Sequence, residues 1–205
     1  MRIAFFGGTF DPPHIGHTGL AEQVIASGRT DKVLFVPASS PPHKFGLPVT
    51  PYSHRLAMLR LALGALPGVE TSDIEARLGR IPSYTFDVMS ALERELPGAR
   101  LQLMMGSDSL LQLHSWHMSG ELVRRWEILT YPRPGEMVTV EDLCKFWDAD
   151  IAGKLIKSIM KLPFFEISST EIRKMIAKNE KVDKLIYRDV KDYIINNGLY
   201  VSAEK

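Results

Sequence analysis

An apolar tetrapeptide, Ile3-Ala4-Phe5-Phe6, runs directly into Gly7-Gly8-Thr9-Phe10-Asp11-Pro12-Pro13-His14-Ile15-Gly16-His17, and this junction constrains the chain more than any other stretch. The tetrapeptide reads as a short buried strand. Beyond the junction, His17, Leu20, Ala21, Val24 and Ile25 fall on one face at helical spacing. Ser27-Gly28 then supplies a stop, since glycine tolerates the left-handed cap conformation. The junction is therefore a strand-to-helix turn. Unpaired backbone N–H groups and the positive end of the helix dipole gather there and favour anions, phosphate above all. Gly7 and Gly8 let backbone approach a ligand with no Cβ in the way. His14 and His17, three residues apart, both face that end from the first helical turn. Plainer readings stand beside this one: Gly-Gly as a tight turn only, and His-x-x-His as half of a metal site. Zinc would need further His or Cys ligands, and the chain has 1 Cys. The stretch matches neither G-x-x-x-x-G-K-[ST] nor G-x-G-x-x-G.

A chain of 205 residues is long enough for a real core and suggests one α/β domain, or one with a small appendage. Its 45% hydrophobic and 24% charged residues are ordinary for a globular enzyme. A net charge of +1 gives no general affinity for nucleic acid or membranes, so phosphate chemistry has to rest on a local cluster of positive groups. The single Cys144 excludes an intramolecular disulfide framework and fits a reducing compartment. Met1-Arg2 leads straight into the first strand without a signal or transit peptide, and no apolar run reaches membrane-spanning length. The expected location is the cytoplasm.

Along the chain, residues 32–36 read as a second buried strand. A proline-rich loop over 38–50 follows, carrying Ser39-Ser40-Pro41-Pro42-His43-Lys44; a loop of that length in a compact domain is more often functional than idle, although a solvated loop with a surface lysine is the plain alternative. Ser53 is the expected N-cap of a helix through Leu66, with Leu56, Leu59 and Leu63 inward. Residues 69–74 form a weaker strand, and Ser83-Tyr84-Thr85 precede a helix over 86–96. Leu101-Gln102-Leu103-Met104-Met105 is a fourth apolar run, ending in Gly106-Ser107-Asp108. A short helix follows, then Trp116-His117, a helix over 121–126 and a fifth strand over 128–131, closed by Pro132-Arg133-Pro134-Gly135. Residues 136–162 look like a small helical insertion. A sixth strand is expected over 164–167. Ser168-Ser169-Thr170 then caps a helix bearing Arg173, a cation unexpected near a helix N-terminus unless an anion joins it. The last helix is expected over 182–197.

Strands alternating with helices predict an α/β fold, a doubly wound parallel sheet with helices on both faces. Ligands in such sheets sit beyond the carboxyl ends of the strands. Gly7, Gly106 and Ser168 all follow expected strands, so one edge collects the three polar motifs.

The first motif resembles the signature G-x-F-D-P/x-x-H-x-G-H of the nucleotidyltransferase superfamily. Taken with Pro41-Pro42-His43-Lys44, Tyr84-Thr85, Gly106-Ser107-Asp108, Trp116, Arg133-Pro134-Gly135, 168–173 and the closing Tyr193-Ile194 with Leu199-Tyr200, the chain resembles the nicotinate-nucleotide adenylyltransferase family over nearly its whole length. Arg188-Asp189 departs from it, standing where the family usually has proline.

The resemblance implies transfer of AMP from ATP to nicotinate mononucleotide, with Mg²⁺ carried mainly on the ATP phosphates. It implies His17 at the α-phosphate and His14 nearer the β- and γ-phosphates. Gly7, Gly8, Thr9 and the Phe10 backbone would lie along the triphosphate. Lys44 would neutralise phosphate. Ser168, Ser169, Thr170 and Arg173 would hold pyrophosphate, and Gly106 with Asp108 the ribose hydroxyls. Trp116 would stack on the pyridine ring, with Tyr84, Thr85, His117 and Arg133 around the mononucleotide. Another adenylyl or cytidylyl transfer, for instance to phosphopantetheine, and a non-catalytic ATP-binding module are the alternatives.

Overall fold

The computed structural model describes residues 1–39, 49–64, 66–135, 137–163 and 165–201. Lys44, with most of its proline-rich loop, lies outside the described residues. Among these, five strands form one sheet: β1 (Arg2–Gly8), β2 (Lys32–Pro37), β3 (Val69–Thr71), β4 (Arg100–Gly106) and β5 (Glu127–Tyr131). Their order is β3-β2-β1-β4-β5 and every neighbouring pair is parallel. Parallel neighbours need crossovers, and helices supply them. These are α1 (Ile15–Ala26), α2 (Tyr52–Leu63), α3 (Ile74–Leu78) with α4 (Thr85–Glu95), and α5 (Ser107–Gln112) with α6 (Ser119–Arg125). Beyond β5 lie α7 (Val140–Cys144), α8 (Ala149–Lys157), α9 (Ser169–Ala177) and α10 (Arg188–Asn196).

The pleat sorts side chains into two cores. Ile3, Phe5, Leu34, Val36, Leu101, Leu103 and Met105 face α4, α5 and α6. Ala4, Phe6, Val33, Phe35 and Met104 face α1 and α2. The expected doubly wound sheet is therefore present. A third core joins Met58 and Ala62 of α2 to Ile172 of α9 and to Val190 and Ile194 of α10.

Several boundaries differ from expectation. Pro51, not Ser53, occupies the N-cap of α2, its fixed φ leading the chain into the first turn. Of the described residues around the expected sixth strand, Pro163 and residues 165–167 are in no strand. Phe165 instead lies against α1, close enough that a Cβ at Gly16 would meet it at 3.1 Å. The final helix begins at Arg188, because residues 182–187 turn across the N-terminus of α1, where the Leu185 carbonyl accepts the Ile15 N–H at 3.0 Å. Leu143, Ala152 and Leu155, from the stretch expected as an insertion, are buried in the first core, and Ile159 pairs in parallel with Thr130 of β5. No helix among the described residues is long and apolar enough to cross a membrane.

Candidate active site

Sheet order reverses between β1 and β4, and a crevice opens beyond their carboxyl ends. It has two lobes that share Tyr131. The larger, about 670 Å³, runs from Gly7, Gly8 and Thr9 past Gly106 and Asp108 to Tyr84, Thr85, Trp116 and His117. The smaller, about 40 Å³, is lined by His14, His17, Arg133 and Phe165 among others.

In the small lobe the two imidazoles stack with centroids 3.7 Å apart and planes 24° from parallel. The backbone N–H of His14 donates to His17 Nδ1 at 3.2 Å. That contact fixes the tautomer: neutral His17 carries its proton on Nε2. Burial pushes the His14 pKa down to about 4, with the charge of Arg133 adding to the effect. Burial also holds His17 well below its ordinary value, helped by His14 and Arg133. Both rings are therefore neutral at neutral pH in the unliganded protein. The positive charge expected here comes from Arg133 instead. The ring nitrogen His14 Nδ1 is buried with no partner among the described residues.

The helix terminus is less open than its sequence suggests. Ile15 N–H goes to Leu185 and His17 N–H to the His14 carbonyl at 2.9 Å, so two of the first-turn N–H groups are already engaged and His17 Nε2–H is the ring donor left over. The glycine pair also has a packing reason. A Cβ at Gly7 would meet the Phe5 ring at 2.9 Å, and one at Gly8 the Phe10 ring at 2.8 Å. Phe10 itself is 2% exposed and sits at φ 50, a left-handed conformation that aims the following peptides.

The loop after β1 is gripped through its carbonyls. Arg55, 1% exposed, donates to Thr9 O at 2.8 Å, Thr50 O at 2.8 Å and Ala38 O at 2.7 Å. From α9, Arg173 Nη1 donates to Asp11 O at 2.7 Å and Ser169 Oγ to Pro12 O at 2.9 Å. Ser168 caps the helix, its Oγ accepting Thr170 N–H at 3.2 Å, and Arg173 Nη2 lies 3.4 Å from Thr170 Oγ1. The first turn of α9 is thus docked on the histidine loop.

The Asp108 carboxylate and the Arg133 side chain close over Gly106, where a Cβ would push the carboxylate aside. Asp108 pairs with Arg133 Nε at 3.7 Å, and the Arg133 N–H donates to Ser107 Oγ at 2.9 Å. Arg133 lies between the two lobes: it lines the small one with the histidines and pairs with Asp108 of the large one. At the far end of the large lobe Tyr84 stacks on His117 at 4.4 Å. Thr85 opens α4, so its N–H is among the helix's orphan donors. Trp116 is half-buried against the first core, its indole Nε1 buried without a partner among the described residues. Glu75, 7% exposed, lines the same lobe; it accepts Ser39 N–H at 2.9 Å, and burial raises its pKa.

Arg55 and Glu75 did not stand out in the sequence, and Tyr200 did so only as part of the closing motif, without a role. For Arg55 a signal existed: Arg55, Met58, Leu59, Ala62 and Leu63, all buried, keep one helical period, placing the guanidinium on the inward face.

A family model described as cytidylyltransferase-like matches residues 5–175. The chain is 36% identical over 202 residues to the nicotinate-nucleotide adenylyltransferase of Bacillus subtilis, covering 98% of this chain and 99% of that protein. It is 36% identical over 203 residues to a probable nicotinate-nucleotide adenylyltransferase of Thermomicrobium roseum, covering 99% and 93%. Among solved structures, Plasmodium falciparum nicotinic acid mononucleotide adenylyltransferase complexed with NaAD is alike in fold, with a TM-score of 0.76 over 97% of each chain at 21% identity.

Proposed function

The chain belongs to the nicotinate-nucleotide adenylyltransferases, and on that premise we infer that its two-lobed crevice joins AMP from ATP to nicotinate mononucleotide, a step of NAD biosynthesis. The observation that carries the reading is the meeting of a polar histidine lobe with an aromatic cavity at one sheet edge. The 5′-phosphate of the mononucleotide is already an anionic nucleophile, so no side chain has to be activated. Its oxygen attacks the α-phosphorus of ATP, the bond to the β-phosphate oxygen breaks, and pyrophosphate leaves with deamido-NAD as the other product. Catalysis then reduces to positioning two polyanions and stabilising charge as it moves.

In this reading His17 Nε2–H donates to the α-phosphate and His14 lies toward the β- and γ-phosphates, with Thr9 and the Phe10 backbone beside them. Asp108 and Gly106 face ribose, and Lys44 neutralises phosphate from its loop. Arg173 keeps nitrogens beyond the one bound to Asp11 O, and with Ser168, Ser169 and Thr170 it takes the departing pyrophosphate. Among the described residues no three His, Cys, Asp or Glu side chains converge as a metal cage. Mg²⁺ would therefore enter on the ATP phosphates, which it neutralises when bound.

Trp116 supplies the pyridine platform. Trp116→Ala should raise the mononucleotide KM about 5- to 150-fold, stacking on an aromatic side chain being worth about 1–3 kcal/mol per base. Because Trp116 also packs on the core, stability should fall too, by less than the roughly 3–5 kcal/mol of a fully buried tryptophan. Steady-state kinetics beside a urea titration check both; an unchanged KM with a large stability loss would return Trp116 to the core.

The acceptor is selected by donors. Tyr84 O accepts the N–H groups of Asp87 and Val88 at 3.0 and 3.2 Å, leaving the Thr85 N–H at the positive end of α4 for a carboxylate. A ring carboxylate only accepts, whereas an amide turns an NH₂ toward one of these donors and leaves it unpaired. The kcat/KM for nicotinate mononucleotide should therefore exceed that for nicotinamide mononucleotide by about 10²-fold or more. Rotation of the Thr85 hydroxyl softens the discrimination without abolishing it. Equal values at fixed ATP and Mg²⁺ would sink the donor pocket and leave adenylyl transfer intact.

A further inference from the structure

Asp11 is 3% exposed and sits inside the histidine loop, yet its carboxylate is occupied by distant parts of the chain. Oδ2 accepts Thr50 N–H at 3.2 Å. Oδ1 accepts the Tyr200 hydroxyl at 2.6 Å. The Asp11 carbonyl is the one that holds Arg173 Nη1 at 2.7 Å. Tyr200 therefore touches, through a single residue, both the loop and the guanidinium assigned to pyrophosphate.

The tail is built to deliver that hydroxyl. Past α10, Gly198 at φ 58 reverses the chain, and Leu199 N–H bonds back to the Ile194 carbonyl at 3.0 Å. Tyr200 then adopts φ 63, a conformation unfavourable for an aromatic residue and kept only where surrounding contacts hold it. Its ring packs with the third core. Burial, followed by the bond to Asp11, raises the phenol's pKa, so the group stays a donor across the working pH range.

We propose that Tyr200 is a positioning residue for the transfer: its hydroxyl orients Asp11, the Asp11 carbonyl orients Arg173, and the C-terminal tail thereby sets the pyrophosphate end of the site. This rests on the pyrophosphate role of Arg173 given above. A purely structural tail would lower stability when damaged and leave the kinetic constants of the folded protein alone.

Tyr200→Phe keeps the ring and its packing and removes only the donor. In the folded variant, forward kcat should fall about 10-fold and the pyrophosphate KM of the reverse reaction should rise, as expected when a catalytic group is displaced by a fraction of an ångström. Placed on Arg173→Ala, the same change should add little, since two residues acting on one group are not additive. Thermal melts of every variant establish folding, and Tyr200→Leu, which keeps an apolar side chain on the core and has no donor, serves as a second variant. Unchanged kinetics in folded Tyr200→Phe would overturn the proposal. A Tyr200→Phe loss that persists in full beside a large Arg173→Ala loss would also overturn it while leaving the role of Arg173 standing. A silent Arg173→Ala would remove both.

Discussion

Replacing His17 by alanine should lower turnover about 10²- to 10⁴-fold and change ATP affinity far less. The expectation follows from the tautomer. His17 Nδ1 is engaged by the His14 N–H, so the ring presents Nε2–H toward the small lobe, and burial keeps it neutral. A neutral, pre-aligned donor contributes most where charge builds on the α-phosphate and little to ground-state ATP. His17→Ala also orphans the His14 N–H, at a cost of about 1–3 kcal/mol. His17→Asn separates the two effects, because its side-chain oxygen can still accept from His14 while its NH₂ group, on a shorter side chain, falls short of the position of Nε2–H. The alanine and asparagine variants should be equally slow, with the asparagine variant more stable. Depressed histidine pKa values set the pH behaviour as well. Between pH 6.5 and about 4 the unfolded chain takes up protons that native His14 refuses, so stability should fall as pH drops through that window. Near-normal turnover in a folded His17→Ala protein would remove this residue from the mechanism.

Arg173→Lys should remain strongly impaired, with the pyrophosphate KM of the reverse reaction raised about 10²-fold, although the protein keeps its charge. One guanidinium nitrogen already holds Asp11 O, and another lies beside Thr170 Oγ1. Only a planar fork can grip the loop and present further N–H groups to an anion at once. Lysine can restore the loop contact or meet the anion, not both. Arg173→Ala should therefore lose stability as well as pyrophosphate binding, because the Asp11 carbonyl is left without its donor. A pyrophosphate KM unmoved by Arg173→Ala would contradict the assignment.

The sheet was largely legible because buried parallel strands are continuous apolar runs and helical stripes separate them. Glycine turns mark the strand ends, which places the first and second motifs at one edge. What stayed hidden depends on contacts between distant segments. The Leu185 carbonyl closing one N–H of α1, and Tyr200 reaching Asp11, leave no local pattern. Histidine neutrality likewise follows from burial rather than residue type: the Phe10 ring lies edge-on to His17 with centroids 5.0 Å apart. The expected sixth strand differs because Phe165 covers α1 rather than joining the sheet. The anchoring of the Arg133 turn by the Ser107 hydroxyl is likewise a contact between distant segments.

The central claim is that the crevice couples ATP cleavage to an acceptor phosphate. Pyrophosphate release from ATP and Mg²⁺, measured with and without nicotinate mononucleotide, tests it most directly. Release should be negligible with ATP alone, and with the mononucleotide present it should match deamido-NAD formation mole for mole. Release that is indifferent to the mononucleotide, or absent from a folded protein supplied with both substrates, would contradict the account.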